Sequence, residues 1–361
     1  MSNDSRLEEI RARIDAIDRK LLELISERAS LAAEVAEVKR NDSQDAPFYR
    51  PEREARILKT VTEANQGPLS NEEVARLFRE IMSACLALEL RHKIAYLGPE
   101  GTFTQTAVHK HFGHSVDTMA LPTIDQVFRE VESGTCQYGV VPIENSIEGV
   151  INHTHDMLIN SSLKICGEIE VRIHHFLMNK SGVLTDIKRI LSHQQSLAQC
   201  RAWLDNNLPQ VERIAVNSNA EAARHASGES GTAAVAGEAA AEFYQLHLLA
   251  SNIEDEPNNT TRFMVIGRDD IPASGNDKTS LILRTPNKPG ALYRVLENFS
   301  NHGVSLTRIE SRPSRLGMGD YIFFVDVEGH RQDQAVTAAL KELEAHASMV
   351  KIIGSYPRAV L

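Results

Sequence analysis

Two patterns in this chain could do chemistry. The first is a pair of cations where apolar residues belong. Leu7, Ile10, Ile14, Ile17, Leu21, Leu24, Leu31, Val35 and Val38 recur every three or four residues, and their heptad puts Arg28 between Leu24 and Leu31. A buried cation is costly unless it is partnered. Lys39 falls within about 20° of the Arg28 direction at 100° per residue. Two cations on a core-facing surface fit a pocket for an anion. On spacing alone, an ion pair from Arg28 to a second subunit fits as well. Arg11 points about 100° away from Arg28 and could serve such a pocket only across a dimer interface.

The second pattern is a set of polar clusters beside short apolar runs. GPEGTFT (98–104) follows Ile94-Ala95-Tyr96-Leu97, and ENSIEG (144–149) follows Gly139-Val140-Val141-Pro142-Ile143. SHQQSLAQC (192–200) follows Ile190-Leu191, while NNTTRF (258–263) leads into Met264-Val265-Ile266-Gly267. Polar residues at the carboxyl ends of strands, beside helix starts, are where α/β sheets bind ligands, and glycines admit close backbone approach. Taken singly, each cluster also reads as a capping or turn motif. The histidines give no chelating geometry: His153 and His155 would diverge by about 200° on a helix, and adjacent His174 and His175 would face opposite sides of a strand.

These residues need three kinds of scaffold. Residues 1–92 read as helix, with capping boxes at Ser5/Glu8 and Ser70/Glu73 and Pro51 suited to the first turn of a second helix that opens from FYRPERE (48–54) and stops near Asn65-Gln66-Gly67-Pro68. A first helix of about 50 Å cannot bury its stripe against two short helices, so it predicts a dimer. Residues 93–270 alternate strands, helices and Gly-rich loops, and no GxGxxG supports a dinucleotide site. After the polar linker 272–277, residues 278–361 read as strand, helix, strand, strand, helix, strand. The 361 residues, 42% hydrophobic and 24% charged, suit two or three globular domains. A net charge of −10 disfavours nucleic acid, no apolar run is long enough to span a membrane, and no signal peptide opens the chain. Cys85, Cys136, Cys166 and Cys200 form no CxxC pair, which predicts reduced thiols in the cytoplasm.

The first segment, with Arg11, Arg28 and Lys39, then YRPERE, then LFREIMSACLALE, resembles the all-helical chorismate mutase family. The resemblance implies an intertwined homodimer whose pockets each borrow Arg11 from the other chain. It implies that Arg28 grips a substrate carboxylate, that Lys39 and residue 89 bond the ether oxygen, that Glu54 binds the ring hydroxyl, and that Arg53 completes the charge balance. Rearranging chorismate to prephenate is unimolecular, needing neither nucleophile nor cofactor, only a folded conformer and cations beside the breaking C–O bond. Three positions depart from other members: Arg50 and Cys85 stand where others carry Asp and Ser, and Glu89 replaces a glutamine. A carboxyl group donates a hydrogen bond only when protonated, so the expectation is a mutase rate that falls as pH rises, unless Glu89 is a solvated surface residue.

Residues 93–270, through GPEGTFT, PIENS, SHQQSLAQC and TTRF in that order, resemble the prephenate dehydratase family. The implied fold is two α/β lobes with the site in the cleft, similar to periplasmic binding proteins. The implied proton donor to the departing hydroxyl is Thr261, with Asn145, Ser192, Gln199 and Thr260 orienting prephenate and His193, Arg262 and Phe263 nearby. An ordinary threonine hydroxyl is a poor acid, so its surroundings must assist it. GAL at Gly290, Ala291 and Leu292 and ESRP at Glu310, Ser311, Arg312 and Pro313 resemble amino-acid-sensing ACT domains, which implies a ferredoxin-like βαββαβ fold and phenylalanine bound between paired domains. A dimerisation module without ligand fits the same pattern. Together the resemblances imply an enzyme that converts chorismate through prephenate to phenylpyruvate under phenylalanine feedback, as a dimer whose further pairing into tetramers stays open. A two-lobed sensor that has lost catalysis is the alternative of another class. A mutase–dehydrogenase fusion would need the missing Gly-rich loop.

Overall fold

The computed structural model of the protein describes residues 3–42, 49–285, 288–314 and 321–359. Phe48, Pro286 and Asn287, which the sequence reading places at a helix start and a loop, lie outside them. No described helix is long and apolar enough to cross a membrane. The four cysteines are buried and free.

Helix α1 (Asn3–Asp42) runs 40 residues, about 60 Å at 1.5 Å per residue. It begins at Asn3, so Ser5 lies inside its first turn and is not its cap. Arg28, Ala29, Ala32, Ala36 and Lys39 form the covered face, where the alanines admit close approach of α3 (Asn71–Glu89). The large apolar residues face the other way. Across the nine-residue stripe, exposure runs from 42% at Ile10 to 66% at Val38. Helix α2 (Pro51–Ala64) opens on Pro51 as expected, and the Ser70 hydroxyl accepts the Glu73 N–H at 3.2 Å to cap α3. Only half of that capping box forms, because Glu73 turns to Arg76 at 2.7 Å.

The middle segment is two α/β lobes. In the first, strands β1 (Lys93–Leu97), β2 (Asp117–Leu121), β3 (Tyr138–Asn145), β4 (Gly149–Val150), β5 (Lys164–Arg172) and β11 (Thr260–Gly267) build a sheet ordered β2-β1-β3-β11-β5, with β4 on β3. Helix α4 (Phe103–Phe112) covers one face, and α5 (Ile124–Glu132) and α6 (Asn152–Asn160) the other. In the second, β6 (Phe176–Asn179), β7 (Arg189–His193), β8 (Glu212–Val216), β9 (Thr232–Ala236) and β10 (His247–Ala250) are ordered β10-β6-β9-β7-β8. Its helices are α7 (Gln194–Gln199), α8 (Arg201–Asn207), α9 (Asn219–Gly228) and α10 (Glu238–Tyr244). The chain crosses between lobes twice, over 173–175 and 251–259. At the first crossing Glu254 accepts from the His175 N–H at 2.9 Å and pairs with His174 Nδ1 at 2.7 Å.

Strands β12 (Asp277–Arg284), β13 (Leu306–Pro313), β14 (Tyr321–Glu328) and β15 (Met349–Pro357), with α11 (Ala291–Asn301) and α12 (Gln334–Leu343), complete the βαββαβ order. The antiparallel sheet runs β13-β14-β12-β15, the ferredoxin-like arrangement. It packs on the first lobe so closely that Ile282, Phe324, Ile353 and Tyr356 share a core with Val141, Ile143, Ile165 and Met264. Gly354 is required there, because a Cβ would collide with the Ile165 carbonyl oxygen. On the lobe's other face, Tyr49 packs against His92, Phe112 and Tyr138 and lies 3.0 Å from His111 Nε2, joining the helical segment to the same lobe.

Candidate active sites

In the helical segment, Lys39 Nζ on α1 lies 3.4 Å from Glu89 Oε2 on α3, and Arg28 shares the Lys39 face. Glu54 on α2 is half-buried, and its carboxyl is raised to about 7 by desolvation, against the opposing pull of Arg79 and Arg28. Lys39 thus meets Glu89, while Arg28, eleven residues and about 16 Å along α1 from Lys39, acts on Glu54, and Cys85 is buried on the same helix as Glu89. Arg50 instead holds the buried Glu52 at 2.8 Å, and Arg53 is exposed. Arg11 is exposed, about 26 Å from Arg28 along the helix at 1.5 Å per residue.

The second site is a cleft of about 230 Å³ between the α/β lobes. Asn145, at the end of β3, and Thr261, in β11, are cross-strand partners. The Asn145 amide donates to Thr261 Oγ1 at 2.8 Å and to Asn259 Oδ1 at 2.9 Å, while its carbonyl accepts the N–H groups of Ile147 and Glu148. From the second lobe, Gln199 donates to Glu148 Oε1 at 3.3 Å and accepts from Asn259 at 3.2 Å and from His175 Nε2 at 2.9 Å. Glu148 is raised, first by desolvation and against His193, and burial lowers His175. The N-termini of α4 and α9 border the cleft and favour a bound anion.

Asn145, His193, Gln199 and Thr261 line this one cleft. Ser192 is buried just beneath, 2.6 Å from the Val235 carbonyl oxygen and 2.9 Å from Asn219 Oδ1. Three residues are displaced. TTRF does not precede its strand: β11 begins at Thr260, so alternation applies through the motif. Thr260 bonds Ser146 at the strand end, Arg262 projects from the opposite face onto Glu168 and Asp326, and Phe263 is buried in the core under α4. Asn259, Glu148, His175 and Asn219 are cleft residues that motif reading passes over. Asn259 and Glu148 lie inside recognised clusters without being singled out, His175 is read only as a non-chelating histidine, and Asn219 is marked only by Ser218, the cap of α9.

In the C-terminal sheet, Gly290 takes φ +76 at the start of α11, a conformation suited to glycine, with Ala291 buried and Leu292 partly exposed. β13 is an edge strand carrying Glu310–Pro313. Arg312 is engaged within the chain. It turns back to the first lobe, donating to the Asn152 carbonyl at 2.7 Å and pairing with Asp156 at 2.9 Å.

A three-helix segment with Arg28 and Lys39 on the covered face of α1, a two-lobed cleft and a ferredoxin-like sheet behind it define a three-part chain. Family models match each part in turn: Chorismate mutase type II over residues 10–90, Prephenate dehydratase over 94–271 and ACT domain over 279–345. The chain belongs to the bifunctional chorismate mutase/prephenate dehydratase family. It is 54% identical over 365 residues to the member from Stutzerimonas stutzeri, covering 100% of both chains, and 54% identical over the same span to that from Pseudomonas aeruginosa. The solved prephenate dehydratase of Arthrobacter aurescens, in complex with L-Phe, superposes with a TM-score of 0.68 at 34% identity over 74% of this chain and 92% of that one.

Proposed function

We propose that this chain rearranges chorismate to prephenate at 1–92, dehydrates and decarboxylates prephenate to phenylpyruvate at 93–270, and is inhibited by L-phenylalanine at 278–361. The observation that carries the reading is the Asn145–Thr261 pair held across two strands inside a cleft, within a chain that matches both catalytic families. Because Asn145 donates to Thr261 Oγ1, the hydroxyl hydrogen is free to point at a ligand. The same amide hydrogen bond stabilises negative charge that develops on Oγ1 as its proton leaves. The proton passes to the departing ring hydroxyl, which leaves as water. The carboxylate's C–C bond breaks to release carbon dioxide, its electron pair completes the aromatic ring, and solvent returns the proton to Thr261. Asn145 and Gln199 orient the substrate, and the N-termini of α4 and α9 attract its carboxylates.

In the mutase groove Arg28 and Lys39 supply the cations, and Lys39 donates to the ether oxygen. Arg11 reaches a groove only from a second chain, and the exposed stripe of α1 supports a homodimer. Buried reduced thiols and the absence of any required oxidant suit the cytoplasm.

The test is incubation of the purified protein with chorismate and no cofactor. Chorismate loss with phenylpyruvate formation that L-phenylalanine suppresses is the expected result. Prephenate accumulating without phenylpyruvate would leave the mutase and reduce the cleft to a binding site.

A further inference from the structure

Asn145 faces Thr261 across the β3–β11 ladder, and the adjacent pair is Glu144 and Arg262. The register skips Ile143 between the Glu144 and Pro142 pairings, and this bulge leaves Glu144 on the side of the sheet away from the cleft. The regulatory sheet opposes it with a pair of its own, Arg308 on β13 across from Asp326 on β14. The two ladders meet with charges crossed: Arg308 Nη1 is 2.9 Å from Glu144 Oε2, and Arg262 Nη1 is 2.7 Å from Asp326 Oδ2. Arg308, Arg262 and Asp326 have side chains only 15%, 11% and 11% exposed, and Glu144 35%. Glu168 extends the network, 2.9 Å from Arg262 and 2.8 Å from Lys278, and Ser280 Oγ donates to Asp326. Among the described residues, Arg308 Nη2 is buried without a hydrogen-bond partner, which makes the Glu144 contact decisive for where its guanidinium rests.

We propose that Arg308, acting through Glu144, is a positioning residue for the Asn145–Thr261 pair, and that this crossed clasp carries the effector signal from the regulatory sheet into the cleft. The proposal rests on the dehydratase reading above. Its logic is mechanical and electrostatic. Each clasp residue on the lobe is the backbone neighbour of a cleft residue, Glu144 of Asn145 and Arg262 of Thr261. Buried charges tolerate little change in separation, because losing a partner leaves a charge uncompensated. Arg308, Glu310 and Arg312 share one face of β13 by strand alternation, and Arg312 is anchored on Asp156. A shift of β13 at the effector edge therefore moves two anchors on the lobe together, and the pull on Glu144 reaches Asn145 through one peptide unit.

The test measures prephenate turnover, L-phenylalanine binding by calorimetry and mutase turnover in Arg308→Gln, Glu144→Gln and Arg308→Lys. Arg308→Gln and Glu144→Gln are expected to lower dehydratase kcat about tenfold with KM little changed and mutase turnover intact. In both, L-phenylalanine still binds but inhibits the remaining activity less than about twofold, where coupling factors ordinarily run about 5–150-fold. Arg308→Lys is expected to recover much of both properties. Glu144, the most exposed member, keeps the test open if Arg308→Gln fails to fold. Wild-type kcat and inhibition curves in Glu144→Gln would overturn the proposal. A wild-type protein that converts no prephenate would instead overturn the dehydratase reading on which it stands.

Discussion

Thr261 is a weak acid by nature, and what distinguishes it here is the 2.8 Å hydrogen bond that its oxygen accepts from Asn145. If Thr261 protonates the leaving group, removing its hydroxyl should strike the chemical step and leave binding nearly untouched. Thr261→Ala is expected to lower dehydratase kcat by about 10²–10⁴-fold with a small change in KM, as for loss of a general acid. Thr261→Ser keeps the donor and should retain most activity, and Asn145→Ala should fall between them. Single-turnover rates and product analysis check this, with mutase turnover in the same protein as the folding control. An alanine variant that matches the wild type would show that water or another cleft group supplies the proton.

Helix α2 illustrates how an element's packing sets a titration. Glu54 lies in a crevice lined by Tyr49, Leu58, Arg79, His111 and Ile169, where desolvation moves its carboxyl from 4.5 to about 7. A carboxyl group raised on folding binds its proton more tightly in the folded state. Its contribution to stability is therefore whole below pH 4.5 and is lost as pH rises to about 7. Glu54→Gln, a neutral isostere, should leave the unfolding midpoint unchanged near pH 4 and raise it at pH 8, by up to about 3 kcal/mol of stability. Denaturant titrations at the two pH values check the difference, and equal shifts at both would assign it to packing alone. That seam was not legible beforehand, since it depends on α2 meeting β5. What could be read were the elements themselves: the apolar runs became β1, β3, β7 and β11, and Ser70 became a cap. The faces were less legible. Arg262 reads as a cleft residue only while TTRF is taken as a loop, and once β11 starts at Thr260 the period of two turns it away. The bulge at Ile143 had one sign in advance, Pro142, which lacks the N–H that a ladder needs. Arg28 likewise belongs to a face that the heptad did not separate, with Ala29, Ala32 and Ala36 against α3 and the larger side chains turned outward.

At the scale of the whole molecule, the outward stripe of α1 is too large and too apolar for a surface left in water, and it runs most of a helix about 60 Å long. A second copy related by a twofold axis would cover it with the same stripe and bring its Arg11 toward the first chain's Arg28. Charge on the stripe should then separate the copies. Leu24→Glu is expected to give a monomer by light scattering with mutase activity reduced more than about 100-fold, because a pocket loses a borrowed guanidinium. Dehydratase turnover, housed in lobes within one chain, should persist in large part. Sharing of Arg11 has a sharper signature than dissociation. Arg11→Ala and Arg28→Ala should each be nearly inactive as mutases alone, yet a heterodimer of the two holds one pocket with both arginines intact and one with neither. Random subunit exchange yields about half heterodimers with one working pocket in two, so the mixture should recover about a quarter of wild-type mutase activity. Recovery cannot arise if Arg11 serves its own chain, since every Arg28→Ala chain would then still lack its own arginine and every Arg11→Ala chain its own partner.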